Sequence, residues 1–342
     1  MTSNSIIKLN NGQKTVISTE FPVIDAHIHL GGRYRSEQYW EKYDLKKVIS
    51  DLRDLGICHI VNLELFTRRH WDFAWERTEI YRDFVSLCAP VNFDHINEDD
   101  FEEAVRKEMR YYHSKGACGF KVWKNLGLSI RKKNGKLYSL NDQRLKFIWE
   151  EAATLNLPIV IHVADPPSFW EPINEENPRY AELSSNPKWS YCGLEVKYSD
   201  LLGQLEKLLQ DNPQTTFVVA HMCAAAHDLD FVTKMLSTYS NLYVDISAVL
   251  SEIGIQPKNF ERLAIEYSDR IMFGTDYFAG DNYPHTPYYR FLETDDKDFS
   301  YTSDGTYTQG PWNISGCKLN ETVLRKIYFE NARRIFNIKI GS

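Results

Sequence analysis

His27 and His29 stand two residues apart in the run Val23-Ile-Asp-Ala-His-Ile-His-Leu30. Alternate side chains of an extended segment share a face, so the pair directs two imidazoles at one point, where a divalent metal ion can be gripped. Three later apolar runs end in groups of the same kind: Pro158-Ile-Val-Ile-His162, Phe217-Val-Val-Ala-His221 and Arg270-Ile-Met-Phe-Gly-Thr-Asp276. His27, His29, His162 and Asp276 together offer three nitrogen donors and a carboxylate. Such a set suits Zn2+ or another borderline divalent ion, with a position left for water. Metal binding lowers the pKa of water from about 15.7 to around 7, which yields a nucleophile at neutral pH.

Asp276 can both touch the metal and take a proton from that water, then deliver it to a leaving group. The competing reading is a carboxylate that caps the following turn. His221 is expected at the same cavity as another ligand, a general base, or an imidazole that polarises a substrate carbonyl. Lys121, in Gly119-Phe-Lys-Val-Trp, ends a fourth strand-like run, a costly place to bury an ammonium alone. It reads as a carbamylated bridge between two metals, an anchor for a substrate carboxylate, or a side chain reaching solvent. Arg33, after Gly31-Gly32, is the other candidate for holding an anionic substrate. Trp170, Tyr191, Tyr277, Tyr283, Tyr288 and Trp312 are candidates for stacking on a substrate ring. His59, His70, His95, His113, His227 and His285 lack the strand-end pattern and read as structural or surface residues, with His227 kept in reserve for its nearness to His221.

Positioning these groups requires a repeating strand and helix scaffold. Eight strand candidates follow one another: 23–30, 59–65, 84–93, 117–124, 158–165, 216–223, 242–250 and 270–278. Between them lie apolar stripes at helical spacing, such as Leu45, Val48, Ile49, Leu52 and Leu55, or Leu201, Leu202, Leu205, Leu208 and Leu209. A last helix is expected over 320–336. Near-continuous apolar strands that alternate with helices imply parallel strands joined by right-handed crossovers. A doubly wound open sheet would gather ligands at one crevice, whereas the candidates here come from the first, fifth, sixth and eighth strands, which a closed ring brings together. The fold class is therefore α/β, a (β/α)8 TIM barrel spanning 21–342 after an N-terminal extension of residues 1–20. Long insertions follow strands five (164–199) and eight (278–318), rich in aromatics and proline and placed to wall a pocket. Asn134-Gly135 predicts a hairpin after strand four.

Composition narrows the function classes. A formal charge of −7 supplies no basic field for a nucleic acid, and an apolar fraction of 43% suffices for a core. No stretch approaches the roughly 20 apolar residues of a membrane span, and the N-terminus lacks a signal-peptide core. The six cysteines are widely spaced with no C-x-x-C pair, which reads as free thiols in a reducing compartment, the cytoplasm. No G-x-G-x-x-G or Walker sequence is present.

The chain resembles the amidohydrolase superfamily, in the amidohydrolase-related branch that also holds metal-dependent decarboxylases. The resemblance rests on Ile24-Asp-Ala-His27-Ile-His29, Ile161-His162, Ala220-His221, Leu242-Tyr-Val-Asp-Ile-Ser and Phe273-Gly-Thr-Asp276, and runs from Phe21 to Phe336. It implies that His27, His29, His162 and Asp276 ligate one metal, with His221 as the nearby catalytic imidazole. In two-metal members a carbamylated lysine closes the fourth strand, where Lys121 stands, so one ion or two remain open. Relatives hydrolyse amides, lactones and esters, and others decarboxylate aromatic or unsaturated acids. The leading expectation is a metal-dependent hydrolase of a small molecule, with Asp276 and His221 catalytic. The alternatives are a decarboxylase that uses Lys121 or Arg33 as anchor and, behind it, a non-catalytic metal-binding barrel. No nucleic-acid or membrane partner is expected, and self-association into a homo-oligomer stays open.

Overall fold

The computed structural model describes residues 6–10, 13–31, 40, 42–63 and 67–340. Arg33 lies outside these residues. Before the barrel, β1 (Ile6–Asn10) and β2 (Gln13–Ser18) pair as an antiparallel ribbon within what the sequence marked only as an extension. Then come β3 (Val23–His29), β4 (Ile57–Asn62), β5 (Val85–Pro90), β6 (Gly119–Val122), β7 (Ile159–Ile161), β8 (Phe217–Val219) and β9 (Leu242–Asp245). The last two strands are β10 (Ile271–Met272) and β11 (Tyr277–Phe278).

Neighbours pair in parallel in the order β10-β9-β8-β7-β6-β5-β4-β3-β11. β10 and β11 are two halves of the expected eighth strand, interrupted at Phe273-Gly-Thr-Asp276. One half pairs with β9 and the other with β3. Across the interruption Ala26 N donates to Phe273 O at 3.0 Å and Asp276 N donates to His27 O at 2.9 Å. The ring therefore closes as a (β/α)8 barrel, and strands in ring order follow chain order as short crossovers require.

Alternate strand residues feed two separate apolar clusters, because successive side chains point to opposite faces. Ile24, Ala26, Val61, Cys88, Cys118, Val160, Val218 and Met272 fill the inside with Ala332 and Phe336, while Val23, Ile60, Leu87, Phe120, Ile159, Phe217 and Val244 join the helices outside. The helix Leu45–Asp54 starts at Asp44, whose carboxylate accepts from Lys46 N and Lys47 N, and buries Leu45, Val48, Ile49 and Leu52 as the stripe requires. The last helix runs Glu321–Arg325, a wider turn Lys326–Glu330, then Asn331–Ile335. It clamps β10: Asn331 donates to Ser268 O and Ile271 O at 2.7 Å, and Ile327 O accepts from Phe273 N at 2.8 Å.

The hairpin after strand four is present as a turn: Lys132 N donates to Lys136 O, and Gly135 takes φ +84°, a conformation glycine adopts without strain. The connections after β7 and β11 carry short helices, among them Tyr180–Ser185 and His285–Glu293. None of the six cysteines forms a disulfide, and Cys88 and Cys118 share a hydrogen bond with their Sγ atoms 3.7 Å apart. Among the described residues no helix is long and apolar enough to cross a membrane.

Candidate active site

The strand-end groups open into one cavity of about 1290 Å³ at the mouth of the barrel, lined by His27, His29, His162, His221 and Asp276 together with both long connections. His29 Nε2 lies 2.8 Å and His27 Nε2 3.4 Å from the same Asp276 oxygen, Oδ1. An ion with ligand bonds of ~2.1 Å has tetrahedral ligands ~3.4 Å apart, the spacing of the His27 contact, while the 2.8 Å contact of His29 is a hydrogen bond. The donor chemistry agrees. Burial lowers the His29 pKa to about 4, which makes the imidazole neutral, and burial of Asp276 is overcome by the His29 hydrogen bond and the neighbouring imidazoles, which hold its carboxyl far below the usual range. His29 Nδ1 is buried with no hydrogen-bond partner among the described residues.

Local backbone makes this convergence possible. Gly274 lies so near β3 that a Cβ there would stand 2.9 Å from the His27 Cβ. Asp276 adopts φ +62°, and His221, Met222, Cys223 and Ala224 form a run of left-handed residues at φ +57°, +51°, +62° and +57°. Each such residue costs roughly 1–2 kcal/mol relative to the right-handed form, a strain that clusters at functional sites.

A carboxylate behind the site orders it. Asp245, at the end of β9 and fully buried, accepts from His27 Nδ1 through Oδ2 at 2.9 Å, and through Oδ1 from His221 N at 3.0 Å, Ser247 N at 3.1 Å and Ser247 Oγ at 2.5 Å. His27 is thereby held with its proton on Nδ1 and its Nε2 lone pair toward Asp276. His221 Nδ1 donates to Ser247 O at 2.8 Å, which leaves its Nε2 without a proton. A second buried carboxylate, Asp25, accepts from Thr275 N, Thr275 Oγ1 and His285 Nε2 and ties β3 to the interrupted strand.

The family profile described as Amidohydrolase matches residues 24–338. The chain belongs to this family. A sequence search among curated proteins found no match. Solved structures with the same fold include a dihydroxybenzoic acid decarboxylase from Polaromonas sp. with bound manganese and 2-nitroresorcinol, at 13% identity and TM-score 0.57 over 92% of this chain and 97% of that one. A probable 2-pyrone-4,6-dicarboxylic acid hydrolase from Acinetobacter baumannii with citric acid bound is 15% identical, with TM-score 0.52 over 92% and 99%. The 4-oxalomesaconate hydratase of Rhodopseudomonas palustris is 13% identical, with TM-score 0.56 over 92% and 96%. The protein is thus an enzyme of the amidohydrolase superfamily, in a group whose members use a divalent metal.

Other expected residues of this amidohydrolase occupy varied places. His162 faces the same cavity with its ring centroid 4.4 Å from that of His221, but outside the tight group of His27, His29 and Asp276. Its Nε2 donates to Ala164 O at 3.2 Å, so Nδ1 is the atom available for ligation, and burial followed by the nearby His221 lowers its pKa to about 3. Lys121 is fully buried with its ammonium 5.0 Å from the Trp123 ring centroid, which closes the solvent-reaching reading. Lys121 does not border the cavity; Lys124 does. Tyr191, Tyr277 and Tyr283 line the cavity, and Trp170, Tyr288 and Trp312 are not among its lining residues. His227 is exposed and off the cavity. His59 is structural, bonded through both ring nitrogens to Asp83 O and Ser86 Oγ.

The cavity of this amidohydrolase also holds charged groups that the sequence reading did not name as site residues. Lys124 pairs with Asp165, which also accepts from Tyr191 Oη at 2.6 Å. Arg179 pairs with Glu182 at 2.8 Å and Glu252 at 2.5 Å. The described lining carries Asp165, Glu182, Glu252, Asp276, Asp281 and Asp304 against Lys124, Arg179 and Lys188.

Proposed function

We propose that the chain is a zinc-dependent hydrolase of the cytoplasm, acting on the carbonyl of a small amide, lactone or ester. The observation that carries this reading is the approach of His27 Nε2 and His29 Nε2 to one oxygen of Asp276, at 3.4 and 2.8 Å. Two imidazoles and a carboxylate favour a borderline divalent ion such as Zn2+, with His162 Nδ1 as the further donor. When bound, that ion supplies Lewis acidity and brings the pKa of water near 7.

The chain's own groups do the rest. Asp276, held ionised, receives the proton of the attacking water at its second oxygen and returns it to the leaving group. His221 presents an unprotonated Nε2, fixed by its Nδ1 bond to Ser247 O. It therefore acts as a proton acceptor or further ligand, in place of the carbonyl-polarising donor that the sequence also allowed. Tyr191, Tyr277 and Tyr283 supply ring surface to the cavity wall.

Hydrolysis is favoured over decarboxylation by the charge of the wall. A substrate carboxylate would meet more described acids than bases there, and Lys124 and Arg179 are already paired with Asp165, Glu182 and Glu252. The disulfide-free cysteines support a reducing compartment. The test is a panel of small amides, lactones and esters assayed in 18O-water, with the protein stripped of metal and then reloaded with Zn2+ or Mn2+. Metal-dependent entry of solvent oxygen into product is expected. Release of CO2 from an acid substrate without that oxygen would overturn the proposal in favour of the lyase.

A further inference from the structure

Resting on the hydrolase reading, we infer that Glu252 and Glu182, flanking Arg179 in the cavity wall, form a subsite for a cationic nitrogen carried by the substrate away from the scissile bond. Glu252 sits on the single turn Leu250–Ile253 that follows β9, seven residues after the Asp245 that holds His27. Its side chain is only 9% exposed and borders the cavity. Oε1 takes the Arg179 Nη2 bond at 2.5 Å, and Oε2 is buried with no hydrogen-bond partner among the described residues. A buried carboxylate oxygen left unsatisfied is costly, so its presence at a cavity wall points to a donor that arrives with the ligand.

Charge decides what kind of donor. Arg179 is itself buried and gives one positive charge to two carboxylates, its Nη1 bonding Glu182 at 2.8 Å and its Nη2 bonding Glu252. The cluster therefore keeps one uncompensated negative charge in a poorly solvated wall. Burial, then the charges of Asp165 and Glu252, also push the Glu182 carboxyl up against the opposing pull of Arg179. A primary ammonium or guanidinium supplies both the missing hydrogen bond and the missing charge. A hydroxyl supplies only the first, and a carboxylate is repelled. Arg179 acts here as a spacer that fixes the two acids in place, not as an anion anchor.

The test uses the full-length, zinc-loaded protein and acetamides of graded chain length ending in ammonium, hydroxyl or methyl, with binding read by calorimetry. The wild type should bind the best ammonium probe about tenfold or more tighter than its methyl partner, with the hydroxyl probe near the methyl one. Glu252→Gln should remove most of that preference and leave methyl-probe binding unchanged. Glu182→Gln should weaken it through the other carboxylate, which gives a readout that does not depend on the first variant folding. Equal binding of ammonium and methyl probes by the wild type, hydroxyl binding equal to ammonium binding, or a preference that survives both substitutions would each overturn the subsite. Binding is read without turnover. A preference for the ammonium probe with no solvent oxygen entering any amide, lactone or ester of the panel above would remove the hydrolase reading and leave the subsite standing, and hydrolysis without a preference would do the reverse.

Discussion

Asp245→Asn tests whether the metal site is tuned from behind. The carboxylate accepts four hydrogen bonds and donates none: Oδ1 receives the His221 N–H, the Ser247 N–H and the Ser247 hydroxyl, and Oδ2 receives the His27 Nδ1–H. An asparagine has one oxygen and one NH2 to place there. With the oxygen toward the three donors, the NH2 meets His27 Nδ1 and forces the imidazole proton onto Nε2, the atom proposed to bind metal. With the oxygen toward His27, the NH2 faces three donors, and each bond lost inside the barrel costs ~1–3 kcal/mol. The first arrangement is favoured, so the variant should fold and hold His27 in the wrong tautomer. Loss of such a carboxylate partner typically lowers metal affinity 10–100-fold, or roughly 1.4–2.7 kcal/mol, and the forced tautomer places this variant at the upper end. Zinc affinity measured by competition with a chromophoric chelator, beside 15N chemical shifts of the His27 ring, reads both effects. A variant that binds zinc within about threefold of wild type while His27 keeps its Nδ1 proton would refute the reasoning.

Asp276→Asn should reduce metal-dependent turnover by at least ~100-fold, as expected for losing a proton acceptor in contact with the ligands; near-normal rates at full zinc occupancy would remove Asp276 from that role. His59 gives a pH dependence unconnected with catalysis. Burial depresses its folded pKa from 6.5 to about 4 against the pull of the Asp83 carbonyl, so between those values the unfolded chain binds the proton and the folded one does not. Its contribution is fully present above about pH 6.5 and is lost as pH falls toward 4, by about 3 kcal/mol in all. Denaturant unfolding of wild type and His59→Asn at several pH values should show a gap that varies by that amount over this window, and a constant gap would count against it. Ala224→Gly, at φ +57°, should raise stability by up to about 1 kcal/mol in thermal unfolding, whereas Ala226→Gly, not among the left-handed residues, should lower it.

The barrel and the convergence of His27, His29 and Asp276 were legible in the sequence because both rest on one short-range rule: an apolar run ends, and the polar residue at its tip looks into the mouth of the ring. His162 and His221 obeyed the same rule into the same cavity. Its limits follow from what it leaves out. Asp245 ends β9 as plainly as Asp276 ends its own segment, and the same rule marks it, but not its place, since one strand-tip carboxylate meets His27 and His29 in the cavity and the other holds His27 from behind. The break at Phe273-Gly-Thr-Asp276 could not be foreseen from apolar spacing, because it depends on Gly274 passing within contact of His27. Lys121 looked like the group to hold a substrate, yet the strand buries it beside Trp123, and Lys124 reaches the cavity from the irregular turn that follows. Arg179, Glu182 and Glu252 carry no periodic signal at all, because two different connections bring them together. Periodicity reaches the strand-end imidazoles and carboxylate, whose direction the strands dictate. Selectivity is written into connections whose course depends on contacts with one another, and there only coordinates reveal that a guanidinium is shared by two acids and that one carboxylate oxygen still lacks a donor.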